Sequence, residues 1–215
     1  MIIYLVRHGE SLPRTMLSDE EGCRIGLSDL GKIQARTTAK KLKSLGIEKI
    51  FSSPIVRASD TAKIISEVTM APLKYLDELS EFSVDLESVD SQYLASLKKK
   101  SYENPDLVAP AGGSLSQSVS RLLKVVDDLG SSSANSVCLV SHRIIIEGLL
   151  SRLFDIKNEE HEWLLPASIS AIKIDPKKEK KLLFYNRRPL DFDLFTSLLR
   201  RKMFFVRAKV FGSSV

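Results

Sequence analysis

His8 and His142 each close an apolar run, the first in IIYLVRHGES (2–11) and the second in VCLVSHR (137–143). Imidazoles delivered this way can supply a nucleophile, a proton carrier or hydrogen bonds to an anion. The chain has three histidines, and these two have suggestive neighbours: Arg7 and Gly9 beside the first, Ser141 and Arg143 beside the second. A lone histidine at a strand end is more simply a satisfied structural residue, but two, with an arginine beside one, point to a site. Arg57, in SSPIVRASDTA (52–62), follows a strand-like run that ends near Phe51. A guanidinium fork matches phosphate oxygens in bidentate fashion, where lysine offers a point charge. Taken alone, Arg57 reads first as part of a solvated helix face. Gly9 lets backbone approach a ligand closely, and a helix opening after His142 would aim unpaired N–H groups at an anion held there.

These residues need a scaffold that brings strand ends together. An unbroken apolar run rich in branched residues suits a strand buried on both faces of a parallel sheet, and ligands gather outside the carboxyl ends of such strands. Helix-like and strand-like segments alternate along the chain. LSDLGKIQARTTAKKLKSLG reads as a helix capped by Ser28 and ended by Gly46, and EKIFSS as a short strand. Pro54 opens a second helix with Ala58, Ala62 and Ile65 on one face, and PLKYLDEL follows as an extended segment. Ser114 caps a helix in which Leu115, Val119, Leu122, Val126 and Leu129 recur at helical spacing. VCLVS is a second apolar strand, RIIIEGLLSRLF the helix after it, and SISAIKID and KLLFYN two strands joined at Asp175-Pro176. The pattern predicts an α/β fold, a three-layer αβα sandwich with a mainly parallel central sheet. Within it, residues 80–111 read as an insertion or lid that holds a short helix near 88–99. Residues 189–215 form an amphipathic basic extension.

Composition sets the outer bounds. Hydrophobic residues at 43% with charged residues at 27% suit a globular chain with a full core. The net charge of +5 suits an anionic ligand as well as nucleic acid, but the lysine runs carry no interleaved aromatic platform, so no nucleic-acid partner is expected. Cys23 and Cys138 are the only cysteines, and Cys138 sits in an apolar run as a small core residue. They can form no disulfide framework or C-x-x-C pair, and the chain opens on a strand, not a signal peptide, so a cytoplasmic location is expected. No apolar run approaches the roughly 18 residues of a membrane span.

R-H-G-E-S at 7–11, L-S-D-L-G-K-I-Q-A at 27–35, S-S-P-I-V-R-A-S-D-T-A at 52–62 and V-S-H at 140–142 follow one another in a recognisable order and spacing. In this the chain resembles the histidine phosphatase superfamily, the phosphoglycerate mutase-like enzymes, over roughly residues 1–188, which the resemblance implies form the catalytic domain. The resemblance implies that His8 attacks phosphorus to form a phosphohistidine, while Arg7, Arg57 and His142 hold the phosphoryl oxygens. It implies no metal and no cofactor. The family's glutamate in an L-x-E pattern matches Leu76-Asp77-Glu78, which makes Glu78 the expected general acid, with Asp77, Glu81 and Glu10 as nearby competitors. Gly9 and Ser11 lie inside the first motif and are expected at the substrate.

Several positions depart from the family pattern. Arg14 stands where asparagine is frequent, Arg143 where glycine often follows the second histidine, and Pro110-Ala111-Gly112-Gly113-Ser114 lacks a glutamate. Arg14 and Arg143 could recognise a second anionic group or salt-bridge at the rim. His161 matches no motif and reads as structural. The leading expectation is a metal-independent phosphatase that hydrolyses a small phosphorylated metabolite and releases inorganic phosphate. The rivals are a phosphoglycerate mutase, which returns the phosphoryl group to substrate, and a non-catalytic phospholigand-binding module. About thirty residues separate Glu78 from Pro110; such short cover admits water and favours hydrolysis. The C-terminal extension is expected to pack on its own domain or on a second subunit of a homodimer, with an anionic membrane surface as the minority reading.

Overall fold

The computed structural model describes residues 1–12, 24–81, 100, 101, 103–108, 113–156, 163–199 and 201. Six strands form one mixed sheet: β1 (Ile2–Arg7), β2 (Lys49–Ser52), β3 (Leu73–Tyr75), β4 (Ser136–Ser141), β5 (Ile169–Ile174) and β6 (Lys180–Arg187). Their order is β3-β2-β4-β1-β5-β6. The first four in that order run parallel, whereas β5 lies antiparallel to β1 and β6 antiparallel to β5. The helices are α1 (Asp29–Ser44), α2 (Val56–Thr69), α3 (Leu115–Leu129) and α4 (Arg143–Phe154). The strand pleat sorts them into two layers. From β1, Ile3 and Leu5 pack with α3 and α4, while Tyr4 and Val6 face α1 and α2. The αβα sandwich expected from the sequence is therefore present, with the β5–β6 hairpin supplying the antiparallel edge.

Local signals account for the element ends. Ser28 accepts from the Gly31 N–H at the start of α1, and Gly46 takes a left-handed φ of 67° just past its end. Ser114 and Gln117 form a reciprocal capping box on α3. Cys138 is fully buried in β4, and burial pushes its thiol pKa up, as suits a core residue. Leu190 onward turns helical over 192–199, with Leu194 fully buried. The expected helix near 88–99, most of the 80–111 insertion, Arg14, Cys23 and His161 lie outside the described residues. Among those described, no helix is long and apolar enough to cross a membrane.

Candidate active site

Parallel pairing of β1 with β4 sets Arg7 opposite Ser141, so the residues that follow each strand emerge at the same sheet edge. His8 and His142 meet there with ring centroids 5.3 Å apart and planes inclined at 59°. Both are buried, His142 completely. His8 Nδ1 lies 2.7 Å from the Gly9 carbonyl oxygen. A carbonyl can only accept, so Nδ1 carries the proton and Nε2 keeps its lone pair. Burial, then His142, Arg57 and Arg7, hold the His8 pKa well below the usual histidine range. His142 is the residue before α4 and places its Nε2 3.0 Å from Ser53 Oγ, which follows β2. The helix N-terminus anticipated after His142 is thus at the site.

Two arginines join the histidines. Arg57 is buried in the first turn of α2, and its guanidinium lies 3.4 Å from Glu81 Oε2. Arg7 donates to the Leu164 carbonyl, while its Nε is buried with no hydrogen-bond partner among the described residues. Burial, then the Arg143 charge, lowers the Arg7 pKa to about 10, so it remains charged at neutral pH. A buried guanidinium N–H left over in a ring of cations is suited to an anion's oxygen.

Of the acids expected near the site, Glu81 and not Glu78 reaches these cations. Residues Asp77–Leu79 form a single 3₁₀ turn, with Leu79 fully buried and its carbonyl accepting from Ser141 Oγ at 2.6 Å. With Leu79 turned inward, Glu78 and Asp77 are exposed. The Lys124 pKa on α3 is raised first by Asp128 and to a lesser degree by Glu78, which places the Glu78 charge toward that helix. Glu81 follows the turn and reaches Arg57. The sequence signal for it was present: Leu79-Ser80-Glu81 repeats the L-x-E pattern three residues after the first. Glu10 is occupied elsewhere, accepting from Ser28 Oγ at 2.9 Å and pairing with Arg201.

The remaining expected residues have mixed placements. Gly9 is needed for packing: a Cβ there would lie 2.6 Å from the Gly31 carbonyl oxygen of α1. Its N–H donates to Thr61 Oγ1 on α2. Ser11 pairs with Leu27 in an isolated antiparallel bridge. Arg143 opens α4 and stacks on Trp163, a residue for which the sequence offered no cue. Among the described residues, no three His, Cys, Asp or Glu side chains gather to hold a metal ion.

Known proteins resemble this chain in sequence and in fold. The chain is 28% identical to the "Uncharacterized phosphatase PhoE" of Bacillus subtilis, over 70% of this chain and 76% of that one. It is equally 28% identical to the "Probable phosphoglycerate mutase GpmB" of Yersinia pestis, over 80% of this chain and 84% of that one. A solved mycobacterial glucosyl-3-phosphoglycerate phosphatase with inorganic phosphate superposes with a TM-score of 0.71 at 22% identity, covering 87% of this chain and 98% of that one. The family model of the histidine phosphatase superfamily (branch 1) matches residues 3–187, a span that runs from β1 to the end of β6 and takes in His8, His142, Arg7 and Arg57. The chain belongs to the histidine phosphatase superfamily.

Proposed function

We propose that this chain is a metal-independent phosphatase acting on a small phosphomonoester through a phosphohistidine at His8. The observation that carries the reading is the His8 ring itself: Nδ1 is committed to the Gly9 carbonyl, and the ring stands 5.3 Å from that of His142, with Arg57 and Arg7 near enough to lower its pKa. His8 Nε2 attacks phosphorus as the P–O bond to the alcohol breaks, and Arg7, Arg57 and His142 stabilise the charge on the three equatorial oxygens. Glu81, in place of the Glu78 expected from the sequence, gives its proton to the leaving oxygen. It then takes one from the water that attacks the phosphohistidine, releasing inorganic phosphate and restoring neutral His8.

Rapid quenching with a ³²P-labelled phosphomonoester tests this directly. Acid-labile, alkali-stable label should appear on the wild type, vanish in His8→Ala and persist in EDTA. Label on His142, or activity lost to EDTA and restored by a divalent ion, would overturn it. A mutase reading draws support from the similarity to the GpmB relative. Product analysis separates the two, since interconversion of 2- and 3-phosphoglycerate without free phosphate would favour the mutase. Failure to turn over 4-nitrophenyl phosphate or any phosphorylated metabolite would leave a phospholigand-binding module.

A further inference from the structure

Beside the phosphoryl site stands a cation that the proposed chemistry does not use. Arg143, the first residue of α4, lays its guanidinium over the Trp163 ring with 4.4 Å to the centroid. Stacking occupies the face of a guanidinium and leaves the donors in its plane for an anion. Among the described residues no carboxylate forms an ion pair with Arg143. Glu147, one turn further along α4 and buried, accepts from the Leu164 N–H at 2.8 Å.

The platform under Arg143 is braced from two sides. Asn186 donates from Nδ2 to the Trp163 carbonyl at 3.1 Å and accepts the Leu165 N–H at 2.8 Å. The Leu164 carbonyl, between them, accepts from Arg7. One short segment therefore holds both the phosphoryl-site arginine and the aromatic support of Arg143. The two guanidiniums are close enough that Arg143 is the leading charge acting on Arg7. Like charges so placed repel; the buried Glu147 carboxylate offsets part of this at Arg7, and a ligand that is anionic at both ends relieves the rest.

We infer that Arg143 on Trp163 forms a second anion subsite, selecting phosphomonoesters that carry a further carboxylate or phosphate. This rests on the phosphatase reading only in placing the first phosphoryl group at His8. Calorimetric binding to the His8→Ala chain, which should not turn ligands over, tests it with matched pairs. Glycerol 3-phosphate is paired with 3-phosphoglycerate, and fructose 6-phosphate with fructose 1,6-bisphosphate. One member of a pair should bind roughly tenfold or more tighter, the effect of a charge-assisted hydrogen bond, and the pair that shows the ratio identifies carboxylate or phosphate. Adding Arg143→Met should collapse the ratio below about threefold, and Trp163→Leu should reduce it. Equal binding within both pairs, or equal weakening of both members by Arg143→Met, would overturn the subsite. Phosphate release from 4-nitrophenyl phosphate by the wild type reports on the phosphatase reading separately. If release is absent while the ratio persists, that reading falls and the subsite stands.

Discussion

The His8 imidazole is kept neutral by its burial and by the cations around it, although its bond to the Gly9 carbonyl pulls the other way. In the unfolded chain the same ring takes up a proton near pH 6.5. Below that pH the unfolded state binds a proton that the folded state does not, so stability must fall as pH falls through the ordinary histidine range. Urea midpoints should therefore drop more steeply between pH 8 and pH 5.5 for the wild type than for His8→Gln. Parallel pH curves would mean that His8 takes up its proton at the same pH folded as unfolded, so that the fold does not hold it neutral. Glu81 is tested through the leaving group. An alkoxide needs a proton in the transition state, whereas nitrophenolate leaves almost unaided. Glu81→Gln should slow single-turnover phosphorylation of His8 by alkyl phosphates by about 10²–10⁴-fold and by 4-nitrophenyl phosphate far less. Glu78→Gln, exposed on the far side of the 3₁₀ turn, should show no such dependence. A leaving-group dependence in Glu78→Gln and none in Glu81→Gln would reverse the assignment.

Between elements, the tightest joint lies where the loop after β1 crosses the start of α1. Ser28 donates its backbone N–H to the Glu10 carbonyl and its hydroxyl to the Glu10 carboxylate, and a Cβ on Gly31 would sit 2.0 Å from the Glu10 carbonyl oxygen. In an open helix, glycine to alanine gains roughly 1 kcal/mol. Here the sign should reverse, since Gly31→Ala must push the loop that carries His8 away from α1, at a cost of about 1–3 kcal/mol. A denaturation midpoint at or above that of the wild type would refute the close approach. The Ser28 cap and much of the sheet edge were legible beforehand, because both apolar strands end in polar residues and Ser28 precedes a helical pattern; the joint itself was not, since Gly9 reads in sequence as room for a ligand and in the structure packs against Gly31. What the sequence leaves open is strand order. His8 and His142 meet only because β4 is inserted between β2 and β1, a long-range pairing that no local pattern encodes. The L-x-E pattern is ambiguous for a local reason: it occurs twice in LDELSE, and burial of Leu79 decides which glutamate turns inward. Trp163 escaped notice because its partner lies twenty residues away on another element.

At the scale of the molecule, the described part of the C-terminal extension is tied back to its own domain. Asp191 caps the helical stretch 192–199 by accepting the Leu194 N–H at 3.0 Å, and it pairs with Lys40 of α1 at 2.9 Å. Those hydrogen bonds outweigh its burial and lower its pKa. Arg201 reaches Glu10, two residues from His8, so the extension and the loop that carries His8 share a contact. The two kinds of attachment should differ in strength. Leu194 is fully buried, and Leu194→Ala should cost about 2–5 kcal/mol through lost transfer energy and the cavity left behind. The Arg201–Glu10 pair is partly solvated, with side-chain exposures of 48% and 28%, and exposed pairs contribute about 1 kcal/mol or less. Arg201→Ala should therefore shift the urea midpoint only slightly, and Leu194→Ala should shift it strongly at every protein concentration. If the Leu194→Ala loss grew as the protein was diluted, the apolar side of this helix would be working between subunits and not within one chain. If Leu194→Ala were neutral, the extension would not be docked at all, and the Arg201 contact with the loop that carries His8 would fall with it.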